Sequence, residues 1–362
     1  MSKAAELAAL IGSQSALSDR NLIINGAMQV AQRSTSTASV TGSGYHACDR
    51  WNLQLSSLGT FTISQSTDAP AGFSNSFKVD CTTADASPAA SDFMVVQQKI
   101  EAQTLRQLGY GASGAKAMTL SFYVKSNKTG TYEIMHFAAD GTRAVNSTYT
   151  IDSANTWEFK SVSIPGDPSG TMNNDNGEGL RSLFYLGVGS QRQSGTTPTD
   201  WQAYAIANEA PSQTVNIADN TANEWLMTGV QLEVGEQTTP FEHRSFADEL
   251  ERCKRYFQQI GSGYGKASST SAFDCSVTFN PPMRANPTVS NNGTVIQITN
   301  ITSADHNQSS ASCADTDSGV TDGTYGGGRV RFSNFSGLTS GTTYAIDHTS
   351  SQGGAATFDA EL

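Results

Sequence analysis

The sequence predicts a mainly β protein: an antiparallel jelly-roll sandwich, a linking α-helix and a small C-terminal β domain, preceded by a short N-terminal helix. Three observations predict it. Charged residues make up only 15% of the chain and hydrophobic ones 37%, with 33 glycines among 362 residues. A chain so rich in neutral polar residues suits short strands joined by tight turns. Second, runs with apolar residues at every other position follow one another through residues 21–243. Period two places one face on a core and the other in water. Third, one charge-dense segment, residues 244–262, changes to helical period.

Residues 1–20 read as a short N-terminal helix, either an anchor that orders against a partner or copies of itself or a frayed tail, and they are assigned as the anchor helix. Ala4, Leu7, Ala8 and Ile11 fall at helical spacing, with Leu10 beside them. So narrow a stripe is stable only when something buries it. Residues 21–243 are assigned to the jelly roll. Asn21–Met28 reads as its opening strand. Trp51, Leu53 and Leu55 alternate in the next, then Phe61 and Ile63, then Phe77, Val79 and Cys81. Phe93–Ile100 runs into a helical turn around Ala102–Leu108, which Gly109 can end. Met118–Lys125, Thr131–Phe137, Trp157–Ile164, Ser182–Val188, Trp201–Ile206 and Glu224–Val234 complete the set. About ten strands at this frequency argue for a sandwich rather than an alternating α/β fold. The loop Gly166–Gly179 holds little to bury and is expected on the surface.

Residues 244–262 are the linking helix. Phe246, Leu250, Cys253 and Phe257 make a stripe at i, i+4, i+7 and i+11, with Ser245 as N-cap and acidic residues ahead of basic ones. The stripe is expected to pack on the jelly roll or on neighbouring subunits. Residues 263–362 form the C-terminal β domain, with strands around 273–279, 288–290, 294–299, 328–333 and 357–362. It is small and polar, so its strands are expected to need a neighbour, or copies of themselves, to complete a core.

A net charge of −11 argues against phosphate backbones and anionic lipid as partners, so neither nucleic acid nor membrane insertion is expected. Five cysteines with long spacings and no CxxC form neither a disulfide framework nor a zinc site. Reduced thiols point to folding in a reducing cytosol. No signal peptide and no membrane span are read in the chain.

The order of several motifs resembles tail-fibre and related virion proteins of bacteriophages. These are Asn21-Leu-Ile-Ile-Asn-Gly-Ala-Met-Gln-Val-Ala-Gln-Arg33, Asp49-Arg-Trp51, and Gly229-Val-Gln-Leu-Glu-Val-Gly235 leading into Thr239–Phe257. Asn280-Pro-Pro-Met-Arg-Ala-Asn-Pro-Thr-Val289 and Asp359-Ala-Glu-Leu362 follow. The central block also resembles carbohydrate-binding-module jelly rolls. The resemblance implies a non-enzymatic, homotrimeric virion component, assembled in the host cytoplasm. It implies attachment to other virion proteins through the N-terminus, at Leu7, Leu10 and Ile11, and contact with host-surface glycans. A head fibre, decoration protein or tail adaptor with an assembly role is the alternative, and a glycan depolymerase is a third.

Sugar binding needs aromatic platforms with polar flanks. Trp201, Tyr204 and Tyr185 in the jelly roll, and Tyr325, Tyr344 and Asn334 in the C-terminal domain, are the candidate glycan contacts; Trp157 is a further aromatic on or near a sandwich strand. Trp51 and Trp225 read as core. The carboxylate pairs Asp175/Glu178, Asp315/Asp317 and Glu233/Glu236 sit in loops or at strand ends, so no catalytic pair is assigned. His136, in an apolar strand, reads as structural. Asp167–Asp175 and Asp305–Asp322 offer oxygen ligands without EF-hand spacing. No metal or cofactor is expected.

Overall fold

The computed structural model describes residues 19–261, 263–291, 296–300, 305–308, 312–315, 326–347 and 356–362. Its contacts divide the chain into two units. One contains the residues up to Glu249 together with Leu362, and the other Leu250–Glu361.

The strands of the first unit are β1 Ser36–Val40, β2 Asn52–Ser56, β3 Thr60–Ser66, β4 Ser76–Thr83, β5 Phe93–Glu101 and β6 Met118–Ser126, followed by β7 Gly130–Ala138, β8 Arg143–Ile151, β9 Glu158–Ile164, β10 Glu178–Val188, β11 Gln202–Ala203 and β12 Glu224–Val234. They form two six-stranded sheets, β1-β3-β4-β12-β6-β9 and β11-β8-β7-β10-β5-β2. Neighbouring strands are antiparallel throughout. The predicted mainly β, jelly-roll architecture is therefore what the chain adopts. Alternation delivers Leu53, Phe61, Ile63, Phe77 and Val79 to the space between the sheets. Phe184 of β10 sits among Trp51, Trp225 and Phe122 at centroid separations of 6.3, 6.3 and 5.3 Å. Trp51 and Trp225 are both 0% exposed.

Four local expectations for this unit are corrected. Asn21–Met28 is not a strand. Asn25 and Met28 take left-handed φ values of 59° and 55°, which break an extended run. Side-chain amides replace the ladder. Asn21 bonds to Val230 O and Leu232 N, and Asn25 to Val30 N, Val30 O and Asp49 O. Trp201–Ile206 shrinks to the two-residue β11, because a 3₁₀ turn at Ile206–Asn208 takes over the chain. Unexpected strands appear at β1 and at β8, whose Val145, Tyr149 and Ile151 reach the core. Finally, the loop 166–179 is not wholly superficial. Asp167 is 0% exposed and pairs with Arg143 Nε at 2.6 Å, while Met172 joins the core. A carboxylate paired in this way tolerates burial that an isolated one does not.

The linking helix, α1, runs only from Phe246 to Lys254, not over 244–262. Ser245 caps it, its Oγ accepting from Asp248 N at 3.1 Å. Phe257 lies instead on β13 (Phe257–Ile260), which pairs with the strand Ala356–Asp359. Phe-Gln-Gln-Ile has strand propensity and finds a partner, which outweighs continuation of the helical stripe. Phe246 is 56% exposed, Leu250 is half-buried, and Cys253 and Phe257 are buried.

The second unit continues with β14 Gly263–Ala267, β15 Phe273–Thr278, β16 Thr288–Asn291, β17 Ile296–Asn300, β18 Asp305–Gln308, β19 Ser312–Asp315, β20 Gly327–Ser333, β21 Thr343–Asp347 and β22 Ala356–Asp359. A three-stranded sheet β13-β22-β16 and a seven-stranded sheet β18-β17-β21-β14-β15-β20-β19 result. Phe273, Phe332, Tyr344, Phe279 and Phe358 share one buried cluster. Among the described residues the unit encloses a buried cluster of its own. Among the described residues no helix is long and apolar enough to cross a membrane.

Candidate functional site

In the sheet β11-β8-β7-β10-β5-β2, the strands at the centre are apolar on both faces. One face serves the sandwich core. The other carries Val95 of β5, Met135 of β7 and Leu183 and Tyr185 of β10, which form a second buried cluster with Phe93 and Phe137 packed on it. Register explains how they meet. Tyr185 lies opposite Val95, and Val95 opposite Gln54. Leu183 lies opposite Met135, and Arg181 opposite Phe137. Residues two apart on a strand share a face, so these rows pave one surface.

The surface is the floor of a cleft of about 310 Å³, whose lining includes Gln54, Phe93, Phe137, Arg181, Arg192, Tyr204 and Glu209. Tyr204 stands at its edge, 36% exposed, with its ring edge-on to Phe137 at 5.4 Å. Arg181 lies over the Phe137 ring at 4.8 Å and Arg192 over Phe93 at 4.0 Å. Each guanidinium–ring stack fixes a flat, amphipathic wall.

Glu209 is the organiser. It is 6% exposed and lies at 2.8 Å from Arg192 Nε. That contact is electrostatic rather than a directed hydrogen bond, since the buried Nε–H has no acceptor aligned with it. The Tyr185 hydroxyl donates to Glu209 Oε2 at 3.0 Å, and the Tyr204 hydroxyl donates to Oε1. Burial first, and then the Glu209 charge, hold both phenols above their ordinary range. They therefore remain neutral. A second buried carboxylate, Glu133, accepts from Asn146 Nδ2 at 2.7 Å and Ser212 N at 2.6 Å, tying the 205–215 loop to β7. Burial raises its pKa, against the effect of those hydrogen bonds.

Of the sequence candidates, Tyr185 and Tyr204 come together here through Glu209. Trp201 does not join them. It is 6% exposed in the sandwich core, donates to Pro165 O at 2.6 Å and packs edge-on against Tyr110. Three residues before Tyr204, the chain has turned this side chain inward, apart from the cleft lining. Tyr325, Leu7, Leu10 and Ile11 lie outside the described residues. In the second unit Asn334 is exposed with a left-handed φ of 73°, and Tyr344 is 1% exposed, its hydroxyl accepting from Thr339 N. Trp157 donates to Asp68 Oδ1 at 3.0 Å. Phe93, Phe137, Arg181, Arg192 and Glu209 were not singled out from sequence. The available signal was the doubly apolar run of β5 and β10, which one buried face cannot account for.

Other chemistry is accounted for locally. His136 is 0% exposed beside Ser182 Oγ, and burial lowers its pKa to about 3. Glu178 pairs with Arg181 and, at 3.5 Å, Lys99; Glu233 accepts from Thr239 N and Oγ1. Asp175 Oδ1 accepts from Gly177 N. Among the described residues no three His, Cys, Asp or Glu side chains gather as a metal site would require. The outward face of the other sheet carries a separate aromatic ladder, Phe159–Tyr123–Phe73–Phe241, with centroid steps of 5.0, 5.5 and 5.0 Å.

No protein-family model and no curated protein sequence matches the chain. Solved structures do. The enzymatically active domain of tailspike protein 4 of bacteriophage CBA120 is 16% identical, with a TM-score of 0.31, over 59% of this chain and 21% of that one. A putative sugar-binding protein from Bacteroides thetaiotaomicron is 14% identical, with a TM-score of 0.33, over 59% of this chain and 99% of that one. The family 11 carbohydrate-binding module of Clostridium thermocellum, solved with a mixed-linked tetrasaccharide, is 11% identical with a TM-score of 0.28, over 57% of this chain and 99% of that one. No residue role is carried over from any of them.

Proposed function

We propose that the jelly roll is a glycan-binding module, and that the chain is a non-enzymatic, fibre-type component of a bacteriophage particle that contacts host-surface glycans. The observation that carries the binding reading is the cleft: an apolar floor with aromatic walls and a few convergent polar groups. Sugar rings present C–H faces to aromatic platforms and hydroxyls to the flanking polar groups. Support for binding over hydrolysis comes from the carboxylate inventory. Among the described residues Glu209 is the one acid lining the cleft, and its oxygens are engaged by two phenols and a guanidinium. A glycosidase needs two acids with distinct roles.

The virion reading rests on the order of motifs from Asn21 to Leu362, with a homotrimer attached through the N-terminal segment. A host-glycan array probed with the full chain tests binding, and a light-scattering mass tests the trimer; a one-subunit mass would refute it. Shortening of a host polysaccharide by purified protein would refute the non-enzymatic assignment. An assembly role as head fibre, decoration protein or adaptor is favoured by one feature, the ladder ending at Phe159, which is 49% exposed. Labelled particles imaged at low resolution separate the two roles by position.

A further inference from the structure

We propose that the cleft selects glycans bearing a carboxylate, uronic or related acidic sugars, over their neutral counterparts; this rests on the glycan-binding reading above. The chain as a whole is strongly acidic, at −11. The cleft is not. Its lining holds two guanidiniums, Arg181 and Arg192, against the single carboxylate of Glu209.

Both cations are built in. Arg181 is held through Nε by Glu178 and by stacking on Phe137. Arg192 is held by Glu209 at 2.8 Å and by stacking on Phe93. Neither has a protein hydrogen bond from its terminal Nη atoms among the described residues, so their donors remain for a ligand. Their side chains are only 26% and 12% exposed, which limits the competing water.

The acceptor side is the reverse. Glu209 receives both tyrosine hydroxyls and faces Arg192, so it has little capacity left for sugar hydroxyls. The phenols spend their protons on Glu209. The donors the cleft offers a ligand are therefore the cationic guanidinium Nη groups, since the phenols keep only their acceptor lone pairs. A neutral sugar hydroxyl must both donate and accept, whereas a carboxylate only accepts and does so in the planar, two-pronged geometry that guanidinium matches.

The test is a glycan array in which each uronate-containing oligosaccharide is printed beside its carboxyl-reduced counterpart, probed with the full chain, and the best pair titrated by calorimetry. The acidic member is expected to bind about tenfold tighter, as one charge-assisted hydrogen bond in a shielded site implies. The preference should narrow with added salt. Arg181→Gln should abolish it while the variant stays folded by circular dichroism, and Arg181→Lys should restore part. Equal or tighter binding of the reduced sugars would overturn acid selection and leave glycan binding standing. No binding to any member would overturn both. A full preference in Arg181→Gln would overturn the assigned source of the selectivity.

Discussion

Trp201 and Tyr204 stand three residues apart and should respond oppositely to the same truncation. Trp201→Ala empties a core position: the indole is 6% exposed, packs on Tyr110 and donates to Pro165 O. Removing a buried aromatic of this size costs about 3–5 kcal/mol. For a unit of this length that lowers the melting temperature by roughly 6–20 °C. Tyr204→Ala leaves the core alone, because its ring is 36% exposed at the cleft edge. What it removes is a platform. A sugar face covering such a ring hides about 50 Å² of apolar area, worth about 1.3 kcal/mol at ~25 cal/mol/Å², or roughly tenfold in affinity. Scanning calorimetry and glycan titration of both variants resolve the two effects. A fall in melting temperature for Tyr204→Ala matching that of Trp201→Ala, or an unaltered one in Trp201→Ala, would refute the division of this segment into core and cleft residues.

Asn25→Ala should destabilise the jelly roll by about 3 kcal/mol, because three buried backbone partners lose their amide; denaturant unfolding measures it, and a change under about 1 kcal/mol would count against the hub. His136 is neutral in the folded chain, with a pKa of about 3, while the unfolded chain takes up that proton near pH ~6.5. Below pH ~6.5 the unfolded state therefore binds more protons, and stability falls as pH drops toward ~3, by at most about 1.4 kcal/mol per unit. His136→Gln should flatten that acid slope, and an identical slope would contradict the assignment. Cys48, Cys81, Cys253 and Cys275 are buried, and burial raises the Cys48, Cys81 and Cys275 thiols. All four should resist a bulky thiol reagent until the chain unfolds, as read by mass spectrometry; prompt labelling in the native state would disprove their burial.

Strand periodicity made most of the sandwich legible, because a half-buried strand writes its two faces directly into the sequence. It failed where backbone chirality or pairing overrode the pattern. Asn25 and Met28 turn left-handed and dissolve an apparent strand, and Phe257 continues a helical stripe yet pairs as a strand. The cleft was half legible. Tyr185 and Tyr204 stood out as aromatics with polar flanks. Arg181, Arg192 and Glu209 did not, because they come from β10, from the turn at Ser190–Arg192 and from the 205–215 loop, and only the fold brings them together. The burial of Trp201 was illegible for the converse reason. Its neighbours in sequence are polar, but its neighbours in space are the core.

The central claim is that a sugar lies on the outward face of β5, β7 and β10. A crystal structure of the full chain with the tightest array oligosaccharide tests it most directly. A sugar ring is expected against Tyr204 and Phe137 with a carboxylate facing Arg181. A sugar seated on the Phe159–Tyr123 ladder or on the second unit, with the cleft empty, would contradict it.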